Sequence, residues 1–212
     1  MPFYTFEKLL NFVEDLVVNV IGNVVESCKE QLTILNSAIL KTGSPKKPFI
    51  RIKHSDAIKK LQGGGIINNK TGEPFKDGED IPEKNERQFV EDIGAPVLLT
   101  HFPAQLKAFY MQEGLNKRRN AETESVDLLM PGVGEVMGGS MRIYDLGYLL
   151  QRYKDEKMDP DPMYWYNDLR KYGSCPHGGF GFGVERIVCW LCSVDHIRDA
   201  CLFPRYMGVI TP

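Results

Sequence analysis

The sequence has no run of 18 apolar residues and no secretory signal, so it predicts neither a membrane-spanning helix nor export. Its net charge is only −2, which excludes a globally basic surface for nucleic acid and leaves open only a local patch. Five cysteines are an odd number, and three stand in apolar surroundings, a pattern typical of reduced intracellular thiols. We therefore expect a soluble cytosolic or organellar protein.

The 212 residues are 42% hydrophobic, enough for one large domain with a substantial core. Apolar residues at spacings of three and four predict a long helix over residues 6–25, with Thr5 as its N-cap. Further helices are predicted at 55–61, 82–93, 145–157, 163–172 and from 195, and strands at 49–52, 97–100, 106–111, 125–130 and 134–144. Consecutive strands in the middle of the chain predict an α+β fold, in which helices flank an antiparallel sheet.

Glycine is concentrated in residues 178–183, where four of six positions are Gly, directly before Glu185 and Arg186. Glycine allows close approach of the backbone to a ligand and conformations that a Cβ forbids. We interpret the stretch as a loop that enters a helix, with Glu185 and Arg186 in its first turn. A helix N-terminus and an arginine both favour anions, which indicates nucleoside triphosphate binding. A tight turn before a core helix is the alternative.

Two carboxylates, Asp127 and Glu135, fall on the two predicted middle strands on either side of a turn. Converging carboxylates suit Mg²⁺, which binds through one or two of them together with substrate phosphates. Two solvated strand residues are the alternative.

Glu135 and Arg142 are seven residues apart, which places them on opposite faces of a regular strand. The Gly138-Gly139 pair between them is typical of a bulge, and a bulge resets the alternation. Both side chains could then face one pocket. The alternative is an ion pair between Arg142 and a surface carboxylate such as Asp145.

Three other constellations are weaker. Cys189, Cys192 and His196 have metal-like spacing, but the thiols lie in an apolar helical segment without a second cysteine pair. Cys175 and His177 are too close in sequence for a nucleophile–base pair. The basic run 117–119 is interpreted as a solvated loop tip, with contact to a nucleic-acid backbone as the alternative.

Residues 181–186, with 197–199 and 203–205, resemble the third signature motif of class II aminoacyl-tRNA synthetases, in the aspartate, asparagine and lysine subgroup. Residues 123–131, 134–143, 165–166, 170–173 and 175–179 are similar to eukaryotic-type asparaginyl-tRNA synthetases. The resemblance covers essentially the whole chain.

The resemblance implies an asparagine–tRNA ligase with ATP and Mg²⁺ as cofactors and asparagine and tRNA(Asn) as partners. It also implies a homodimer in the complete enzyme, no membrane association and a cytoplasmic location. The implied catalytic residues are Arg186, Glu135 and Arg142; the implied ATP-binding residues are Gly181, Gly183, Glu185, Arg186 and Glu135; asparagine would contact Arg142, Ser140 and His177; and magnesium would be held by Asp127 and Glu135.

The chain also departs from the family pattern. Family members begin with an anticodon-binding OB-fold and carry two earlier signature motifs, and the Phe-Arg-x-Glu core of the second motif does not occur here. We expect residues 1–212 to be the C-terminal part of a catalytic domain whose activity belongs to a longer chain. Two alternatives stay open: a short paralogue acting as a binding or regulatory module, and an ATP-dependent asparagine synthetase on the same scaffold.

Overall fold

The structure is a computed structural model that describes residues 1–114 and 121–208. A five-stranded sheet forms its centre, with strands in the spatial order β1 to β5. The strands are β1 Ile50–Lys53, β2 Val97–Thr100, β3 Ser125–Met130, β4 Gly134–Arg142 and β5 His177–Phe182. The helices are α1 Phe6–Ser27, α2 Lys29–Ile34, α3 Ile39–Thr42, α4 His54–Gly63, α5 Glu83–Ile93, α6 Leu146–Asp155, α7 Tyr164–Lys171 and α8 Val184–Cys192, with short 3-10 turns at Ala104–Leu106, Asp161–Met163 and Ile197–Ala200.

The predicted α+β class is confirmed, with one difference in the sheet. Three of the four strand pairs are antiparallel, but β1 and β2 run parallel. A parallel pair needs a long crossover connection, and the chain supplies one in α4 and α5, which lie between these two strands. The sheet is therefore mixed, where the sequence predicted antiparallel pairing throughout.

Helix α1 covers one face of the sheet. It begins where the sequence predicts, and the Thr5 hydroxyl accepts a hydrogen bond from the Lys8 amide at 3.4 Å. Its apolar stripe packs against the apolar side chains on the sheet face that it covers. The buried members of this core include Leu9, Leu10, Val13, Leu98, Val126, Leu128 and Met137.

The opposite face is covered only in part. Helix α4 packs over β1 and β2, and α5 packs against β3 and β4 near the hairpin that joins them. The core under these two helices includes Ala57, Ile58, Phe89, Val90, Ile52, Leu99 and Leu129. The β3–β5 side of this face carries polar residues and glycines instead of a hydrophobic cluster. Helix α5 begins at Glu83 with Pro82 as its N-cap, one residue later than predicted.

Two segments differ from the sequence prediction. Residues 106–111 were expected to form a strand, but they follow a 3-10 turn, and only Met111 makes an isolated bridge, to Arg142. The apolar side chains of this segment serve other contacts, as Phe109 does against Tyr153 with ring centroids 4.8 Å apart. The glycine-rich stretch, interpreted as a loop, is strand β5 and pairs with β4 over six residues.

None of the helices in the described ranges has the combination of length and hydropathy that crossing a membrane requires.

Candidate active site

A one-residue irregularity in β4 decides which side chains share the partly covered face. The register between β3 and β4 shifts at Leu128/Leu129, where Met137 and Glu135 are the consecutive partners and Val136 is left over. This bulge resets the alternation, so Glu135 lies on the same face as Asp127 and Arg142. The predicted bulge is therefore present, but at Val136, whereas Gly138 and Gly139 pair regularly with β3.

The two acidic candidates converge across Gly138. A Cβ placed on Gly138 would lie 3.2 Å from Glu135 Oε1 and 3.4 Å from Asp127 Oδ1. The two carboxylate oxygens thus face one point above a residue that has no side chain. Asp127 is only 8% exposed, which excludes the alternative of a solvated strand residue at that position.

Lys107 pairs with the buried member of this pair. Its Nζ donates to Asp127 Oδ2 at 2.6 Å and lies 3.7 Å from the centroid of the Phe102 ring. Burial raises the pKa of Asp127, and the ammonium group of Lys107 opposes that rise.

These groups line a cleft of about 330 Å³ with a surplus of acid. Five carboxylates face two cations there: Asp80, Glu83, Glu86, Asp127 and Glu135 against Lys107 and Arg186. Burial, together with the nearby charges of Asp127 and Glu135, raises the pKa of Glu86 to about 8. A protonated Glu86 at neutral pH lessens the repulsion inside the cleft.

Arg186 lies at the mouth of the cleft, in the first turn of α8 as predicted. Its Nη1 donates to the backbone carbonyl of Glu135 and lies 3.8 Å from Glu135 Oε2. Gly183 caps the helix beside it, and a Cβ there would lie 3.3 Å from Arg186 Cδ. The helix N-terminus and the guanidinium therefore present positive charge next to the acidic pair.

The glycines of β5 have a different role from the one predicted. The backbone angles of Gly178, Gly179, Gly181 and Gly183 do not fall in the left-handed region. Gly139 and Gly178 are required because β4 and β5 approach closely at these positions. A Cβ on Gly139 would lie 2.8 Å from Phe180 Cβ, and one on Gly178 would lie 2.7 Å from Met141 Sδ. Gly179 and Gly181 instead leave open space on the site face.

The second half of the site lies further along β4 and β5. Ser140 and Arg142 pair with Gly179 and His177 on the same face of the sheet. The Ser140 hydroxyl is fully buried and has no hydrogen-bond partner among the described residues. A buried hydroxyl without a partner is costly, which makes it a candidate for contact with a bound molecule.

Arg142 is held by an aromatic ring and not by an acid. Its guanidinium carbon lies 4.7 Å from the centroid of Tyr110, and it forms no ion pair with any residue in 1–114 or 121–208. The alternative of a pair with Asp145 is wrong, because the Asp145 carboxylate accepts from the Tyr148 amide and caps α6. Arg142 can therefore offer its donors to a ligand.

His177 does not form a nucleophile pair with Cys175. Its Nδ1 lies 2.8 Å from the Cys175 carbonyl oxygen, so Nδ1 carries the proton and donates. Cys189 is buried, whereas Cys192 is partly exposed, and both lie in α8. The basic run 117–119 lies outside the described residues.

The structure thus brings Asp127, Glu135 and Arg186 to one cleft and Ser140, Arg142 and His177 to the continuation of the same face. Glu185 stands beside Arg186 in the first turn of α8. Sequence reasoning missed Lys107 and Glu86. Lys107 fell in a segment wrongly predicted as a strand, but the i, i+3 spacing of Glu83 and Glu86 in a helix's first turn was a usable signal.

Comparison with known proteins gives a consistent result. Residues 1–207 match the family described as tRNA synthetases class II (D, K and N). Cytoplasmic asparagine–tRNA ligases from Homo sapiens and Saccharomyces cerevisiae are 46% and 44% identical to this chain, which they match over its full length. The chain spans 38% of the length of each of these two relatives.

Solved structures agree with the sequence relatives. The Entamoeba histolytica asparaginyl-tRNA synthetase superposes with a TM-score of 0.91 at 50% identity, over all of this chain and 47% of that one. The Pyrococcus horikoshii enzyme, solved in complex with asparaginyl-adenylate, gives 0.87 at 37% identity over 47% of its chain. The chain belongs to the class II tRNA synthetases of the D, K and N group.

Proposed function

We propose that these residues form the C-terminal part of the catalytic domain of an asparagine–tRNA ligase, which activates asparagine with ATP and transfers it to tRNA(Asn). We assign the complete reaction to a longer polypeptide, since the chain spans well under half of its curated relatives. The observation that carries the proposal is the sheet face on which Asp127 and Glu135, with Arg186 of α8 beside them, lie next to Ser140, Arg142 and His177.

The cleft end of this face is suited to a polyphosphate. Arg186 would bind the outer phosphates of ATP, with Glu185 beside it and with Gly181 and Gly183 leaving room for the adenosine. Asp127 and Glu135 fit Mg²⁺, because two hard oxygens already face one point above Gly138. The ion, when bound, would neutralise phosphate charge.

The other end of the face is suited to a small polar amino acid. The guanidinium of Arg142 would read the side-chain amide oxygen, which accepts hydrogen bonds. The unpartnered Ser140 hydroxyl and the Nε2 atom of His177 would complete the pocket. Support comes from the Entamoeba histolytica synthetase, 50% identical to this chain, which was also solved in complex with asparaginyl-adenylate.

In the proposed reaction, the asparagine carboxylate attacks the α-phosphorus of ATP. A bond forms between the carboxylate oxygen and phosphorus, and the bond to the leaving pyrophosphate breaks. A tRNA terminal hydroxyl then attacks the carbonyl carbon and releases AMP. The residues named here supply positioning and charge, since Arg186 balances the growing charge of pyrophosphate and Arg142 holds the asparagine.

The remaining features of the proposal rest on the relatives. The curated relatives are named as cytoplasmic ligases, and we propose the same location for this protein. A homodimer and binding of tRNA(Asn) are proposed from the family, and no association with a membrane is expected.

An antibody against this chain identifies the native polypeptide in its source cells. The test measures asparagine-dependent exchange of pyrophosphate into ATP by that polypeptide and by its Arg186→Ala variant. Exchange that requires asparagine and disappears in Arg186→Ala, with the fold retained, is the expected result. Exchange that is unchanged in this variant would remove Arg186 from the phosphate site. Formation of free asparagine from aspartate, ammonia and ATP would instead support the synthetase alternative.

A further inference from the structure

Within the acidic cleft, the side-chain ammonium group of Lys107 pairs with the buried carboxylate of Asp127. Lys107 reaches Asp127 from the segment after the 3-10 turn at Ala104–Leu106, and only 18% of its side chain and 12% of that of Asp127 are exposed. The ring of Phe102, itself buried, lies under the ammonium group at 3.7 Å. Two independent contacts therefore fix this lysine in place.

The contact is made to one specific oxygen. Lys107 donates to Oδ2 of Asp127, whereas Oδ1 is the oxygen that faces Glu135 Oε1 across Gly138. Lys107 thus leaves the convergent pair of oxygens in place, while it puts a positive charge against the other oxygen of the same carboxylate. Arg186 places a second positive charge next to the other carboxylate, 3.8 Å from Glu135 Oε2.

The cleft needs such charges, because four carboxylates still face its two cations when Glu86, the fifth acidic residue, is protonated. Carboxylates at this density attract divalent cations from solution, whether or not a nucleotide is present. A fixed ammonium group beside the pair repels an incoming cation, and this repulsion is strong in a half-buried cleft. Phosphate oxygens arriving with the cation would outweigh it.

We propose that Lys107 is a positioning residue that acts as the resident counter-ion of Asp127 and keeps the cleft's affinity for a divalent cation low until the cation arrives with phosphate. The inference rests on the proposed function, because it takes Asp127 and Glu135 to be the cation ligands. It assigns to Lys107 a role on free metal binding that is separate from catalysis.

The test is a titration of this chain with Mn²⁺ at pH 7.5 without nucleotide, in which the electron paramagnetic resonance signal of free aquated Mn²⁺ reports the unbound ion. We expect Lys107→Met and Lys107→Gln to bind Mn²⁺ at least about tenfold more tightly than the unaltered chain, equivalent to about 1.4 kcal/mol of removed repulsion. Lys107→Arg keeps the charge and should restore weak binding. Thermal unfolding of each variant checks that it folds.

A matched control is Lys59→Met, since Lys59 also pairs with an aspartate, Asp56 at 3.2 Å, but on an exposed helix surface. It should bind Mn²⁺ as the unaltered chain does. Binding by Lys107→Met and Lys107→Gln that is no tighter than in the unaltered chain would overturn the counter-ion role.

A second pair of variants separates this inference from the proposed function. Asp127→Asn, placed in the Lys107→Met background, should abolish the gain in affinity. If Asp127→Asn leaves Mn²⁺ binding unchanged in both backgrounds, the carboxylate pair is not the cation site, and the proposed metal ligands fail together with the counter-ion role. If it removes binding while Lys107→Met changes nothing, only the counter-ion role fails.

Discussion

At the scale of single residues, the site depends on a few side chains whose partners are unusual for their type. Arg142 is stacked on Tyr110 and not paired with an acid, and Ser140 is buried without a hydrogen-bond partner. Groups left in this condition have interactions to offer a ligand, whereas the fold itself gains little from them. Substitutions at such positions should therefore change binding more than stability.

Replacing Arg142 by alanine should weaken asparagine binding by about a hundredfold or more, because a charge-assisted hydrogen bond to the side-chain amide is lost. The affinity for ATP should change by much less. The measurement is the KM for each substrate in the exchange reaction of the native polypeptide. Equal losses for both substrates would show that Arg142 has a structural role.

The protonation of Glu86 gives a prediction for stability. Its pKa is raised to about 8 in the folded state, chiefly by burial, while an unfolded chain has the ordinary value near 4.5. Between these two values the folded state binds the extra proton, so this group's contribution to stability is present at low pH and is lost as the pH rises through 8. Glu86→Gln should therefore flatten the fall in stability between pH 5 and pH 8.

Denaturant unfolding of both proteins at pH 5 and pH 8, in metal-free buffer, measures this difference. Glu83→Gln is the matched control, since Glu83 lies one turn earlier on the same helix and is exposed. A pH dependence of stability that is the same for the unaltered chain and for Glu86→Gln would contradict the raised pKa.

At the scale of elements, the pairing of β4 with β5 places one glycine where the strands leave no room for a Cβ and another where a Cβ would meet nothing. Gly139 on β4 lies against Phe180 on β5, and a Cβ on Gly139 would come within 2.8 Å of Phe180 Cβ and 3.1 Å of the Gly179 carbonyl oxygen. Gly179 itself has nothing within 4 Å of the position of a Cβ. The two glycines therefore differ sharply in what they tolerate, although both lie in the same pair of strands.

Gly139→Ala should destabilise the protein by about 1–3 kcal/mol, because the added methyl group must push the two strands apart. Gly179→Ala should be close to neutral for stability, and it serves as the control. Both values come from denaturant unfolding at one temperature. Similar losses for the two variants would mean that strand propensity, and not contact across the strands, determines the effect.

Local patterns predicted the elements that are long or sharply bounded. The Thr5 cap and apolar spacing gave α1, and the turn at 131–133 gave the β3–β4 hairpin. Strand β5 was not predicted, because glycine has low strand propensity and because the pairing of β5 with β4 is a long-range contact. The strand predicted at residues 106–111 is absent for the opposite reason. Its apolar residues contact α6 and α7, and in sequence such a run looks like a strand.

The site was predicted in part, and the limits have physical causes. A motif that resembles a known family names Arg186, Arg142 and the two carboxylates; the structure puts Arg142 and the carboxylates on one sheet face, with Arg186 beside the carboxylates. Lys107 and Glu86 could not be found in this way, because their positions depend on how α5 and the segment after β2 pack over the cleft. Their individual roles, like those of the motif residues, stay predictions until measured.

At the scale of the whole molecule, two sheet faces have different tasks. Helix α1 closes one face with a continuous apolar core, while on the other face α4 covers β1 and β2, and α5 packs against the ends of β3 and β4 that meet at their hairpin. The polar surface left on β3 to β5 carries the proposed binding residues of the sheet, and the first turn of α8 adds Glu185 and Arg186 beside it. The face under α1 thus holds only apolar core, whereas the other face holds both the second core and the proposed site.

We expect the 212-residue chain alone to give little or no asparagine-dependent pyrophosphate exchange. It spans 38% of the human relative, and catalysis by groups that act as a unit collapses when several of them are absent. The assay compares equal molar amounts of this chain and of the native polypeptide. Exchange rates that match would show that these residues suffice.

The bulge at Val136 also constrains how the strand can change over evolutionary time. Adding or removing one residue between Glu135 and Gly138 would send Glu135 to the apolar side against α1, whereas adding or removing two would keep it facing Asp127. Insertions and deletions between Glu135 and Gly138 are therefore compatible with the site only when they change the strand by an even number of residues. A lineage can exchange side chains along β4 one by one, but it can alter the strand's length only in even steps without turning a carboxylate into the core.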